Sequence, residues 1–268
     1  MQLFGVDFTS APSRRKAITV ATGHINDGDG QLVLDHLACL HDFPAFNLWL
    51  QQPGPWLGAF DFPFSLPREL VLHLGWPLEW TALIQHLRGH TRAQLRELFK
   101  AFCDSRAPGN KFAHRATDLP AGSSSPMKWV NPPVAYMLHA GAPLLLDAGV
   151  TLHGLNTGDP QRIALEAYPG MIARSITRQS YKNDDPRKHS EERRQARRQI
   201  LDAVASGDYP LGVRIDCGTF RAALIDDGSA DLLDAVLCLL AAAWSWQRRA
   251  EGFGLPPFDP LEGWIAGA

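Results

Sequence analysis

The sequence predicts an α/β protein in which a mixed sheet is flanked by helices, and three observations predict it. Short apolar runs bounded by turn formers recur at residues 3–7, 56–61 and 163–168, and each suits a buried strand better than a helix. Two further strand-like segments follow the first run closely, as in an antiparallel meander. Stretches with helical spacing then alternate with the later runs. This order gives a sheet with the first strand central and the fourth beside it.

The elements follow in order. Leu3-Phe4-Gly5-Val6-Asp7 is the first strand, and the polar turn Thr9 to Arg15 ends it. Lys16 to Ile25 reads as the second strand. Asn26-Asp27-Gly28-Asp29-Gly30 is a strong turn signal, and Gln31 to Cys39 then reads as the third strand. Asp42 suits the N-cap of a helix over 43–52, which Pro53-Gly54-Pro55 stops. Trp56 to Asp61 is the fourth strand. Thr91-Arg92-Ala93-Gln94 is a capping box that opens a helix reaching Cys103. Ser105 to Asn131, rich in Pro, Gly and Ser, is expected to be a long loop, and Pro132 to Ala140 a helix. Ile163 to Tyr168 is the fifth strand. Ser190 opens a charged helix whose first turn holds Glu191 and Glu192, where the helix dipole favours them. Ser229 is expected to cap a last helix, apolar on nearly every face from Leu232 to Trp246.

Composition narrows the function classes. The chain has 268 residues, 45% hydrophobic and 20% charged, with a net charge of −2. No global field therefore draws it to nucleic acid or an anionic membrane, and a polyanion would need a local patch. The apolar stretch 232–246 contains Asp234 and is too short to span a bilayer, so no membrane partner is expected. The four cysteines show neither metal nor redox spacing, the histidines no zinc pattern, and no charged-then-apolar leader precedes the first strand. These features predict a reduced, cytoplasmic protein.

The most informative feature is that two apolar runs each close on an aspartate, Asp7 and Asp61. A carboxylate at the end of a buried strand is costly unless its charge is compensated. On adjacent strands the two converge beyond the carboxyl ends of the sheet, where sites form in such folds, and convergent carboxylates suit a divalent cation. Asp7 equally suits a cap on the Thr9-Ser10 turn.

Gly5-Val6-Asp7-Phe8-Thr9-Ser10-Ala11, Ala59-Phe60-Asp61-Phe62-Pro63-Phe64-Ser65-Leu66-Pro67, Leu165-Glu166-Ala167-Tyr168-Pro169 and Asp231-Leu232-Leu233-Asp234-Ala235 occur in that order. Together they resemble the domain-of-unknown-function 429 family, described as predicted nucleases with an RNase H-like fold. The resemblance implies an RNase H-like mixed five-stranded sheet, a three-stranded meander plus two parallel strands. Residues 68–159, which match nothing in that family, are expected to be a helical and loop insertion after strand four, within a single domain over 1–268. The resemblance further implies a nuclease using two Mg2+ or Mn2+ ions, one activating water and the other stabilising the leaving oxygen. Asp7 would bridge the metals, with Asp61, Glu166 and Asp234 completing the set. Glu166 also suits an ion pair with Arg162 or Arg174, and Asp231 a dipole partner in the first helical turn.

Two basic regions offer contacts to a nucleic-acid partner. Residues 174–198 hold nine Lys or Arg against four Asp or Glu, with Arg193 and Arg197 one helical turn apart. The long loop carries Lys111, His114, Arg115, Lys128 and Trp129, a basic and aromatic mixture that suits a single strand. Lys182, Arg193, Arg197 and Lys128 are the candidate phosphate contacts. Each charge run equally describes a solvated face. Two other functions suit the same pattern: a phosphotransferase or ATPase of the actin-like fold, gripping phosphate at Thr9-Ser10, and a non-catalytic scaffold.

Overall fold

A computed structural model describes residues 1–268. Strands β1 (Gln2–Asp7), β2 (Ile18–Ile25) and β3 (Leu32–Leu40) form the meander, and α1 (Phe43–Leu50) leads into β4 (Trp56–Asp61). Helices α2 (Arg68–Leu74), α3 (Trp80–Arg88), α4 (Arg92–Asp104), α5 (Asp118–Ala121) and α6 (Val134–Ala148) follow. Next come β5 (Val150–Leu152), β6 (Asp159–Glu166), α7 (Pro169–Ile176) and α8 (Glu191–Ser206). The chain closes with β7 (Ile215–Asp216), α9 (Arg221–Asp226) and α10 (Asp231–Gln247).

The sheet has seven strands rather than five, in the order β5-β6-β4-β1-β2-β3-β7. The two additions are edge strands of three and two residues, too short to carry a period. β5 lies within residues 68–159, so that stretch contributes a strand as well as helices. β1 pairs antiparallel with β2 and parallel with β4, while β4 is parallel to β6. The first strand is therefore central, as the element order predicts.

Period-two alternation along these strands divides the core in two. Phe4 and Val6 of β1, with Trp56 and Phe60 of β4, face one layer, which also holds Leu138 and Leu145 of α6. Leu3 of β1 and Leu57 and Ala59 of β4 face the other, built around Leu233, Val236 and Leu240 of α10. Gly5 lets α10 lie flush on β1, because a Cβ there would overlap the backbone of Ala235 and Leu239. The near-continuous apolar composition of α10 follows from this position.

Side-chain caps fix several helix starts. The Asp42 carboxylate accepts from Ala45 N at 2.8 Å, and Thr91 with Gln94 forms the expected capping box. Ser190 accepts from Arg193 N at the start of α8. Ser229 is not the N-cap of α10. Ala230 holds that position in the left-handed region at φ 60°, and the Asp227 carboxylate satisfies Leu232 N at 3.0 Å. α6 spans 134–148 rather than 132–140, because it buries Leu138, Ala142 and Leu145 on both sides of Pro143. That packing outweighs the one backbone donor that proline withdraws. No helix is long and apolar enough to cross a membrane.

Candidate functional site

β1 and β4 run parallel in a register that pairs Asp7 with Asp61. Paired residues on neighbouring strands point to the same face, roughly 4.8 Å apart along the hydrogen-bonding direction. Both carboxylates therefore emerge on the α10 face at the carboxyl ends of the two central strands. They open into a cavity of about 870 Å3 that Lys16, Glu166, Lys182 and Asp231 also line.

Asp7 is 7% exposed. Neither Asp7 nor Asp61 receives a hydrogen bond or ion pair from the protein, although the carboxylates around them do. Asp231 and Asp184 bind the Lys16 ammonium at 2.7 and 2.8 Å. Asp234, fully buried in α10, accepts from Tyr181 Oη at 2.7 Å and pairs with Lys182 Nζ. Buried side-chain atoms that lack a partner are Gln52 Nε2, Ser65 Oγ and Ser245 Oγ. The oxygens of Asp7 and Asp61 are not among them because they reach the cavity.

This arrangement has an electrostatic consequence. Burial pushes the Asp7 carboxyl well above the usual range, and the neighbouring Asp234, Asp231 and Asp61 push it the same way. Burial also raises Asp61, to about 7, against the lowering pull of Lys182 and with Asp234 and Glu166 adding to the rise. The pair thus favours a proton or another positive charge between its two carboxyls. Burial alone would lower the Lys182 ammonium, but Asp234, together with Tyr181, Asp61 and Asp7, outweighs it and keeps Lys182 protonated.

Glu166 lies elsewhere in the pleat. It pairs in register with Phe60, one position before Asp61, and so leaves the sheet toward the opposite face. There Arg115 grips it through two hydrogen bonds, at 2.5 and 2.7 Å, and Phe64 N donates to it at 2.9 Å. Its cation is Arg115, not Arg162 or Arg174. Arg162 pairs with Asp159, while Arg174 stacks over the Tyr168 ring and bonds its hydroxyl.

Of the four expected carboxylate ligands, the fold brings Asp7 and Asp61 together with free oxygens. It commits Glu166 to Arg115 and Asp234 to Tyr181 and Lys182. No three His, Cys, Asp or Glu side chains form a group suited to holding a metal ion.

The expected phosphate contacts divide in the same way. Lys182 lines the cavity. Arg197 is buried, and its guanidinium donates to the backbone oxygens of Ile225 and Tyr181, both at 2.7 Å. It anchors the Tyr181-Lys182 segment and cannot reach a substrate. Arg193 is tied to Lys188 O at 2.6 Å outside the cavity. Lys128 lies in the loop before α6 and also lies outside it. Lys111 and His114 border a separate hollow of about 320 Å3. Arg115, expected in the basic loop, is 2% exposed and binds Asp118 as well as Glu166.

Two functional positions escape the sequence. Lys16 looks like the first residue of a strand, yet it is a cation on the cavity wall. Tyr181 acts through a partner 53 residues away. The adjacent Tyr181-Lys182 pair within a polar stretch is the only local signal. Comparison with protein-family models, curated proteins and solved structures finds no match to this chain.

Proposed function

We propose that this protein hydrolyses phosphodiester bonds of nucleic acid with a divalent cation, Mg2+ or Mn2+, held by Asp7 and Asp61. One observation carries the reading. Two carboxylates at register-paired strand ends, without partners in the protein, face one cavity. An all-oxygen pair suits a hard cation, and both oxygens needing compensation would receive it. Five carboxylates against three cations among the lining residues make the cavity unsuited to a bare polyanion. A cation would reverse that balance.

The order β3-β2-β1-β4-β6, with β2 antiparallel to its neighbours and β1, β4 and β6 parallel, resembles the RNase H-like arrangement and supports the same reading. It supports the fold analogy only, since chemistry rests on the site. Glu166 and Asp234, neutralised inside the protein, do not fit as ligands. The reading therefore narrows from four protein carboxylates to two, and water and phosphate oxygens would fill the remaining positions. The bound cation would supply Lewis acidity at the phosphate.

The chain's own residues have separable tasks. The Lys182 ammonium, fixed by buried Asp234, faces the cavity and offsets charge on the phosphate. Lys16 does the same from the β2 side, oriented by Asp184 and Asp231. In the reaction a water oxygen bonds to phosphorus, the ester P–O bond breaks, and the proton lost by water ends on the leaving hydroxyl.

One observation favours a second reading, a non-catalytic scaffold: two of the four expected carboxylates are already satisfied by protein cations. Hydrolysis of bis(4-nitrophenyl) phosphate with Mn2+ separates the two. Turnover by the wild type, lost in both Asp7→Asn and Asp61→Asn while each variant stays folded, supports the hydrolase. Absence of turnover, with no rise in melting temperature on adding Mn2+, favours the scaffold.

A further inference from the structure

Resting on the hydrolase reading, we infer that the substrate is a single strand, one unstacked nucleotide of which enters the cavity, its phosphate toward Asp7 and Asp61 and its base against an apolar wall. The cavity lies across the carboxyl edge of the sheet, so its two halves come from different layers. On the α10 side the lining is charged or polar: Asp7, Asp61, Lys16, Lys182, Asn183 and Asp231. On the α6 side Phe62, Pro63, Pro132, Pro133, Val134 and Met137 form an apolar wall, beside Ser123, Ser124, Asn131 and the Arg115–Glu166 ion pair. Phe62 belongs to the core layer under α6, and its ring packs directly on Gly141 of that helix. This wall is therefore fixed by the fold.

Tyr168 adds an aromatic surface at the same opening. It is held by the Arg174 guanidinium, 5.0 Å from its ring centroid and hydrogen-bonded to its hydroxyl. An aromatic side chain held in place on the wall of a cavity that also carries Lys182 suits the two chemistries of a nucleotide, and stacking of this kind tolerates any base.

Depth decides between single and double strands. Asp7 is nine-tenths buried, so a phosphodiester must enter the cavity to approach it. A phosphate on a duplex is flanked by paired, stacked neighbours and reaches such a floor only if its nucleotide leaves the stack. That unstacking costs a few kcal/mol in a duplex and least in a strand already single. Ribose and deoxyribose share the chemistry invoked here, so the test uses both.

The experiment compares labelled single-stranded DNA and RNA with the same strands annealed to complements, using the full chain with Mn2+ and Asp61→Asn as the control. Asp61-dependent cleavage of single strands at least about tenfold faster than of duplexes is expected. Val134→Trp, which fills the space in front of the apolar wall, is expected to slow single-strand cleavage by about tenfold, the size of a lost stacking contact, while keeping the Mn2+-induced rise in melting temperature. Duplex cleavage as fast as single-strand cleavage overturns the inference, and it leaves the hydrolase reading standing if bis(4-nitrophenyl) phosphate is also turned over. Absence of Asp61-dependent cleavage of every strand also overturns it. In that case turnover of the small diester shows whether the hydrolase reading fails with it.

Discussion

Replacing Asp61 by Asn should stabilise the protein at neutral and alkaline pH. In the fold the Asp61 carboxyl titrates near 7 against an ordinary value near 3.8, chiefly because it is buried beside other carboxylates. Between those values the native state keeps a proton that the unfolded chain has released, so native stability falls as pH rises from about 4 to about 7. Below that window both states are protonated, and above it both are ionised and the cost is constant. At 1.36 kcal/mol per pKa unit the ceiling is about 4 kcal/mol, and the opening to solvent through the cavity reduces the expected gain to about 2 kcal/mol. Urea denaturation of wild type and Asp61→Asn from pH 3.5 to 8.5 measures it. The two curves should meet near the acid end and separate by about 2 kcal/mol at pH 8, the variant being the more stable. Saturating Mn2+ should close the gap by stabilising only the wild type. A variant no more stable than wild type at pH 8, or a gap of equal size at pH 4 and 8, would refute the reasoning.

Two further outcomes test the packing around the site. Arg115→Leu leaves Glu166 and Asp118 buried without their cation and should cost about 3–5 kcal/mol in chemical denaturation, much more than Arg193→Leu at a half-buried position of α8. Gly5→Ala pushes a methyl group into the α10 backbone and should cost about 3 kcal/mol or prevent folding. Near-wild-type melting of Gly5→Ala would mean that α10 does not lie flush on β1.

The sequence makes the central pair legible because Asp7 and Asp61 occupy the same place in the same kind of run: the residue where a buried strand meets a turn. Register then does the rest. Glu166 sits in an equally apolar run, but one position earlier relative to its neighbour, and period-two geometry makes that single step a change of face. Nothing in a one-dimensional pattern reports such an offset. The need of Asp234 for a partner is readable from its apolar neighbours, yet Lys182 lies 52 residues away and no local spacing points to it. The basic character of α8 is plain in composition. That Arg197 turns inward, and holds Tyr181 O and Ile225 O, depends on where α9 packs. β5 and β7 are invisible for a simpler reason, since two or three residues cannot show a period.

The flush seating of α10 on Gly5 also sets an order of events during synthesis. β1 leaves the ribosome well before the helix that covers one of its faces, which is made more than two hundred residues later. Until then the Leu3–Asp7 side of the sheet has no lid, and the pair Asp7 and Asp61 has no Asp234 or Lys182 arrangement beside it. Contacts of such long sequence separation form slowly and leave apolar strands exposed to other chains in the interval. A nascent chain stalled before residue 231 would therefore hold its central strands uncovered, which makes this protein a candidate client for whatever shields unfinished sheets in its cell.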